Sequence, residues 1–436
     1  MKINEFRDAI FRASTAQGAS FAEVGYSKSE SFSVQVQEQA IDEYEVSTSA
    51  RMSLRVLFNG KEGIAYTEVL EDAEDLVARA IDNARVIEDK DEHPVQGAQT
   101  YRDVVQPTDP LKNLSEAEKI ELAFELEKKA LEQDEVIRTQ VAAVSSSSSY
   151  SSLDNSLGLH AERYSEGSNV VLGPILKRGE ELQNAYAYRW DEKATDLDSI
   201  VQEAVEKARK RFGGGPVPAG TYSIIMTKEA ARSLLAGFWS IFSAEQEQKD
   251  LSFLKGKDGQ VIASDLISIV SNPYLETNPV AFDGEGSPTE FLQVVDHGVF
   301  KSFLHNLKTA NKAGIQTTGH SSSLGSGISP GNLYIEAGTT AADTLPSILG
   351  NGLIIEVISG LHAGLNAVSG EFSLMAEGQL LENGEIVRPV EEITIAANYQ
   401  DFMKQITHVA DDLYFGGRGG IGSPSLIVEN IKVGGR

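Results

Sequence analysis

"GGGPVPAG", residues 213–220, separates two parts of the chain that differ in character. Glycine loosens the backbone, and proline fixes φ and removes an N–H, so neither a helix nor a central strand runs through such a stretch. Upstream, apolar residues recur at helical period from Leu197 to Phe212. Downstream, "YSIIM" (222–226) reads as a short buried strand feeding an apolar run, Ala230 to Phe242, with helical spacing. A domain border is therefore expected between 212 and 217. At 436 residues the chain is long enough for two or three domains.

Before the border the pattern is mixed. Residues 3–16 read as a helix with Phe6, Ile10 and Phe11 on one side. "FAEVGY", "SFSVQVQE" and "RMSLRVLFNGKEGIAYTEV" then alternate as strands, the last turning at Asn59-Gly60, a favoured hairpin dipeptide. A helix follows over Glu71 to Ile87, where Leu76, Ala80, Ile81 and Ala84 make one apolar stripe. Pro94 to Pro110 is a polar linker with three prolines, and the next helix, Ser115 to Leu131, has Ser115 as N-cap with Glu118 three residues on. Strand-like sequence returns from Val136 to Arg189. Its "SSSSSYSSL" (145–153) continues the run "VIRTQVAAV" and reads as an exposed strand in preference to a flexible linker. After the border come short strands and glycine turns. The expected fold class is α+β: an N-terminal α+β region with long helices and antiparallel strands, and a mostly-β C-terminal domain. Its modules are expected at 1–92, 111–212 and 217–436.

The charge balance narrows the function. The 64 acidic and 38 basic residues leave a net charge of -26, which repels phosphate backbones wherever no local basic patch reverses the field. The densest basic run, Lys207 to Arg211, is diluted by Glu203 and Glu206. No nucleic-acid partner is expected. There is no cysteine, which removes disulfides, thiolate ligands and a cysteine nucleophile. The start, "MKINEFRDAIFRAS", is an amphipathic helix with charges in place of a signal sequence's apolar core, and no apolar stretch approaches membrane-spanning length. A cytoplasmic protein without membrane contact is the expectation.

Two glycine motifs carry little chemistry. Gly327 to Gly331 matches G-x-S-x-G, but Pro330 after Ser329 has no N–H to lend an oxyanion hole, and "GNLYIEAG" beyond it reads as a strand. Gly417 to Gly422 matches G-x-G-x-x-G, yet the strand-like "SLIVENIKV" stands where a helix should follow. Both read as turns. The seven histidines (His93, His160, His297, His305, His320, His362 and His408) include no close pair and no H-E-x-x-H or H-E-x-x-x-H. "SIFSAEQEQKD" (240–250) could place carboxylates at a helix end. Glu245 and Lys249 there lie one turn apart in the favourable order, which makes a solvated ion pair the plain reading.

Five ordered blocks add a resemblance: "SFLKGKDGQVIASDLISIVSNP" (252–273), "FDGEGSPTEFLQVVDHGVFKSFLHNLKTANKAG" (282–314), "GNLYIEAG" (331–338), "SGEFSLMAEGQLLENGEIVRPV" (369–390) and "GSPSLIVENIKVGG" (422–435). Together with "RVLFNGKEGIAYTEV" near the start they resemble the TldD/PmbA family of bacterial and archaeal metallopeptidases, also described as modulators of DNA gyrase. The resemblance covers essentially the whole chain. It implies a TldD/TldE heterodimer acting on peptides or unfolded polypeptides. In the TldD branch a helix carries H-E-x-x-x-H and a cysteine completes a zinc site, with an open position for an acidified water. Two histidines five positions apart stand about 140° apart on an ideal helix, so that helix must be distorted. Here the corresponding stretch is "WSIFSAEQEQ" (239–248), and no cysteine exists.

The blocks thus resemble the TldE/PmbA branch, which lacks the zinc ligands. The resemblance implies a non-catalytic subunit with no cofactor or metal of its own and no catalytic residue, zinc being expected in a TldD-type partner. The alternatives are a stand-alone metallopeptidase using some of His297, His305, His320 and His362 with Glu245 or Glu247, and a homodimer that binds peptides without turnover. The candidate peptide-facing residues are Ser243, Glu245 and Glu247 at the former metal helix, and His362 and Asn366 in "SGLHAGLN" (359–366). Glycines there would let a ligand backbone approach closely, although a tight link between two strands is the plainer reading.

Overall fold

The computed structural model describes residues 2–88, 92–190, 192–322 and 327–435. Met1, 89–91 and Arg436, within the expected modules 1–92 and 217–436, lie outside the described residues. The fold is α+β, and its strands form three sheets among the described residues. The first half contains α1 (Ile3–Ala16), β1 (Phe21–Gln37), β2 (Ala40–Phe58), β3 (Lys61–Thr67), α2 (Ala73–Val86), α3 (Glu116–Leu131), β4 (Val136–Asn155), β5 (His160–Arg178), β6 (Glu181–Asn184), β7 (Ala187–Arg189) and α4 (Leu197–Arg209). One seven-stranded sheet runs β3-β2-β1-β4-β5-β6, with β7 also on β5. It therefore passes through both N-terminal modules, each with its own helices and apolar cluster on the sheet.

The hairpin turn falls where the dipeptide placed it. Asn59 (φ 52) and Gly60 (φ 76) both take the left-handed conformation that a two-residue hairpin loop demands. The capping box of α3 also forms: Glu118 N–H donates to Ser115 Oγ, and Ser115 N–H donates to Glu118 Oε2 at 2.7 Å. One expectation changes: "FAEVGY" and "SFSVQVQE" are a single strand, and residues 40–50, to which no element is assigned from the sequence, form a strand as well, because β1 and β2 pair from Phe21↔Leu57 onwards. The serine tract is a strand, bonded to β1 on one side and β5 on the other. With the serines of β1, β2 and β5 it makes a hydroxyl-bearing face, on which Ser29 meets Ser49 at 2.8 Å, Ser31 meets Ser47 at 2.7 Å and Ser149 of the tract meets Ser165 at 2.8 Å.

The polar linker is strapped to the second half of the molecule. Gln96 Nε2 donates to Glu285 O, Tyr101 O–H to Gly286 O, and the Arg102 guanidinium to the carbonyls of Thr289, Pro273 and Val280 while lying 3.9 Å over the Tyr274 ring. A bond from a charged donor is worth about 1.5–3 kcal/mol, and the three here share one guanidinium and do not add, so Arg102→Ala is expected to cost at least about 2 kcal/mol and to open residues 94–110 to protease. Limited proteolysis checks this: cleavage should move into the linker first, and an unchanged digestion pattern would contradict the strap.

After the border come β8 (Gly220–Met226), α5 (Lys228–Phe238), α6 (Ala244–Gln248), β9 (Ile269–Ser271), β10 (Leu292–Asp296), β11 (Val299–Phe300), α7 (Leu307–Ala313), β12 (Leu333–Ile335), α8 (Leu345–Leu349), β13 (Gly352–Ser359), α9 (Leu361–Gly364), β14 (Glu371–Glu382), β15 (Glu385–Asn398), α10 (Tyr399–Lys404), β16 (Ile406–Val409), β17 (Tyr414–Phe415), β18 (Gly422–Ser423) and β19 (Leu426–Gly434). One sheet runs β15-β14-β13-β8-β19-β16, and β15 also pairs with β19. That second pairing closes β8, β13, β14, β15 and β19 into a five-stranded barrel, leaving no free edge among those strands. The remaining sheet, β11-β10-β9-β12-β18-β17, packs with it over one apolar core that includes Phe238, Phe242, Phe300 and Phe402. No helix of the described residues is long and apolar enough to cross a membrane.

Candidate functional site

The stretch 239–248 is not a continuation of α5. Trp239–Phe242 tightens into a 3₁₀ turn, Ser243 is extended (ψ 124), and α6 restarts for five residues. The cause is an isolated bridge to a distant segment between β11 and α7: Leu304 N–H donates to Phe242 O at 2.8 Å and Ala244 N–H donates to Leu304 O at 3.0 Å, which pulls the backbone out of helix. Ser243 is buried there. Lys249 Nζ donates to Glu245 Oε1 at 2.6 Å, the ion pair its spacing predicts. Gln248 Nε2 is engaged with Thr309 O. Glu247 is half-buried on the same short helix.

This donor set does not fit zinc. The stretch holds no imidazole or thiol, and its Glu245 carboxylate is already paired. Among the described residues, no three of His, Asp or Glu converge in a way that could hold a metal ion. The four histidines considered as substitute ligands are placed as follows. His297 sits exposed at the β10–β11 turn with φ 45, its Nδ1 3.1 Å from Asp265 O. His362 is exposed on α9. His305 and His320 are both buried and adjacent, His320 N–H donating to His305 O.

His362 and Asn366 lie on the link between β13 and β14. Asn366 Oδ1 accepts from Val368 N–H at 2.9 Å and Ser369 N–H at 3.1 Å, an Asx turn that explains the tight connection. Asn366 borders a surface groove of about 930 Å³ with Glu371, Asn398 and Lys432. The loop packs on α5, since a Cβ on Gly237 would come 2.6 Å from Leu365 Cδ1. The two candidate groups thus flank the same helix end, but no hydrogen bond or ion pair joins them among the described residues.

A different concavity is built between the hydroxyl face of the seven-stranded sheet and the β9 sheet. It measures about 500 Å³ and is walled by Ser27, Ser151 and Arg163 on one side and Ser271, Asp283 and His320 on the other. Arg163 donates to Phe282 O at 2.5 Å and lies over the Phe282 ring. Asp283 accepts from the backbone N–H of Ser321, Ser287 and Glu285 at 2.8, 2.9 and 3.0 Å. Burial nonetheless pushes its carboxyl above the usual range, with the three N–H bonds and Arg163 opposing. Glu285 is pushed up to about 7, mainly by burial and further by Asp283, although Leu307 N–H donates to it at 3.0 Å. Across the joint, Arg55 bonds Glu62 at 2.6 Å and Glu23 at 3.5 Å, so the contact between the halves is rich in buried charge.

Sequence reasoning did not single out Ser271, Arg163, Asp283 or Glu285. For three of them the only signal was position: Asp283 to Pro288 ("DGEGSP") falls inside one of the blocks that carry the family resemblance, and Ser271 inside another, while Arg163 lies outside every block.

Sequence models of the PmbA/TldA metallopeptidases match three segments in order: domain 1 over residues 22–84, the central domain over 109–212 and the C-terminal domain over 219–435. A Haemophilus influenzae protein described as a metalloprotease PmbA homolog is 28% identical over 99% of this chain and 96% of its own. The metalloprotease PmbA of Escherichia coli O157:H7 is 25% identical over 95% and 92%. A Thermotoga maritima structure, described as a candidate modulator of a DNA gyrase, is 30% identical with a TM-score of 0.91, covering 99% of this chain and 100% of that one. The structure of TldE from Thermococcus kodakarensis shares the fold at a TM-score of 0.88, with 22% identity over 98% and 99%. On the matches along its whole length, this chain belongs to the PmbA/TldD metallopeptidase family as a PmbA/TldE-like member.

Proposed function

We propose that this chain is a subunit without a zinc centre of its own, which pairs with a TldD-type zinc subunit and supplies part of the wall around an extended peptide. The observation that carries this reading is the donor set at 239–248: a buried serine, a carboxylate paired with lysine and two glutamines stand at the position of the metal helix, in a chain that is PmbA/TldE-like throughout. Three protein ligands are the minimum for a hydrolytic zinc site that keeps a water, and this stretch offers none that is unpaired and nitrogenous. The open grooves and the short outer strand β6 support contact with extended chain, because a strand edge can accept a peptide by backbone hydrogen bonding; on the other outer strand, β3, the Ile64 and Tyr66 carbonyls already accept from Asn83 and Arg79.

Co-expression with a TldD-type subunit tests the reading. A stable complex is expected, with peptide cleavage by the pair and none by this chain alone. Chelator should abolish cleavage, and Glu245→Gln should leave its rate within about twofold, since an exposed helical ion pair contributes only about 0.3–0.5 kcal/mol. Stoichiometric zinc on the isolated chain with chelator-sensitive cleavage would overturn the proposal. So would peptide capture by a homodimer that never associates with the zinc subunit.

A further inference from the structure

The cavity between the two halves contains a hydrogen-bonded series that the subunit reading does not use. Ser271 Oγ, at the end of β9, lies 2.7 Å from His320 Nε2, and His320 Nδ1 lies 2.9 Å from Thr318 Oγ1. The pair is 49 residues apart in sequence, and both members line the cavity. The direction of the bonds follows from what surrounds Thr318. His305 N–H donates to Thr318 Oγ1 at 2.7 Å, and the Thr318 hydroxyl has the His305 carbonyl to donate to at 3.2 Å. The ring also meets the Thr318 backbone oxygen, which can only accept. The imidazole proton therefore belongs on Nδ1, and the Nε2 lone pair faces the Ser271 hydroxyl. That is the arrangement in which a base draws a proton from a serine.

Burial holds His320 down to about 4, so the ring is unprotonated at neutral pH and its lone pair is free, but it is a weaker base than an exposed imidazole and takes the serine proton only as the acyl bond forms. Two further observations fit a reacting group. Gly331, at φ 61, passes the pair with a bare Cα: a Cβ there would lie 3.2 Å from Ser271 Oγ, so the turn that matched G-x-S-x-G closes over a different serine. Asn278 on the same cavity wall gives one Nδ2 hydrogen to Asn332 Oδ1 at 2.8 Å, and its second has no partner among the described residues. Arg163 is the only lysine or arginine among the described residues that line the cavity.

We propose that Ser271 is a nucleophile, with His320 as its general base, for small carboxylic esters that enter this cavity. Ser271 Oγ bonds to the acyl carbon as its proton passes to His320 Nε2. The C–O bond to the leaving alcohol then breaks, and the alcohol takes that proton. Water bonds to the acyl carbon as its proton passes to His320 Nε2, the bond between that carbon and Ser271 Oγ breaks, and the proton returns from His320 to Ser271 Oγ as the carboxylic acid leaves. Asn278 is the side-chain donor on this wall for the oxygen that becomes negative. The activity needs no metal, and it stands or falls apart from the pairing proposal because it is tested on the lone chain.

The purified chain, in chelator, is treated with a small fluorophosphonate and with p-nitrophenyl acetate, and adducts are mapped by peptide mass spectrometry. One adduct per chain on Ser271 is expected, absent in Ser271→Ala with the melting curve retained. Labelling should slow by about 100-fold or more in His320→Asn, the lower end of what a positioned base contributes. If that variant fails to melt cooperatively, the pH profile of the wild type decides. Labelling should show no steep rise between about pH 5 and 8, because His320 is already neutral and burial lowers the adjacent His305 too. The carboxyls of Asp283 on the cavity wall and Glu285 next to it are both raised by burial towards this range, and they modulate the rate without giving it a slope of about tenfold per unit. Absence of a Ser271 adduct, equal labelling in folded His320→Asn, or a rate rising about tenfold per pH unit, as for an unassisted hydroxyl, overturns the proposal.

Discussion

Truncation of Phe238 to alanine is expected to destabilise the chain by about 3–5 kcal/mol, the range for a fully buried phenylalanine. The ring has no exposed surface, stacks on Tyr399 with centroids 4.2 Å apart and meets Phe372 edge-on at 6.1 Å. It therefore joins the last turn of α5 to β14 and α10, and each aromatic pair adds about 0.5–1.5 kcal/mol beyond burial. The void left behind cannot collapse easily, because its walls are the closed barrel and a helix end. A fall in Tm on the order of 10 °C should accompany it. Phe238→Leu, which keeps most of the volume, should cost about 1–2 kcal/mol. The loss has a functional edge, since Phe238 anchors the residue before the bend at 239–243. Denaturant unfolding measures it directly, and a loss under about 1 kcal/mol would show that this junction is not held by the aromatic cluster.

Replacing Glu285 by glutamine is expected to stabilise the chain above neutral pH. The carboxyl sits near about 7 in the fold against a usual value of 4.5, with burial as the main cause. An acid raised in this way contributes stability that is full below about 4.5 and is lost as pH rises through about 7, because the folded state holds the proton more tightly there. At 1.36 kcal/mol per pH unit of difference, the loss approaches about 3 kcal/mol by pH 8. Glutamine keeps an oxygen to accept the Leu307 N–H but never ionises. The variant and the parent should therefore match near pH 4 and separate steadily towards pH 8. Asp283, also raised by burial, works in the same direction and remains in the variant. Stability of the two proteins measured across this range checks the sign, and a gap that narrows with rising pH would refute it.

Several local elements were legible in sequence because local chemistry decides them. Asn59-Gly60 specifies its own backbone conformation, and Ser115 with Glu118 satisfies orphan helix donors within one turn. The Glu245–Lys249 pair needs only a single helical turn. The serine tract was harder, since serine has weak preference for any element. It became a strand because β1 and β5 supply its partners, and β1 itself is one strand because β2 pairs along all of it. The linker was polar enough to resemble a free spacer, yet its arginine finds carbonyls about 170 residues away.

By itself the sequence determined the family likeness, the α+β class and the chemistry that is unavailable: with no thiol and no close histidine pair, no arrangement of residues 239–248 supplies the donors of a zinc helix. Those are questions of composition and order, which need no coordinates. Only the tertiary structure decided that the same stretch bends onto Leu304, that Glu285 loses its water, and that Ser271 meets His320 across 49 residues. Burial and hydrogen-bond direction arise from packing between distant segments, and no local pattern encodes which partner a side chain will find.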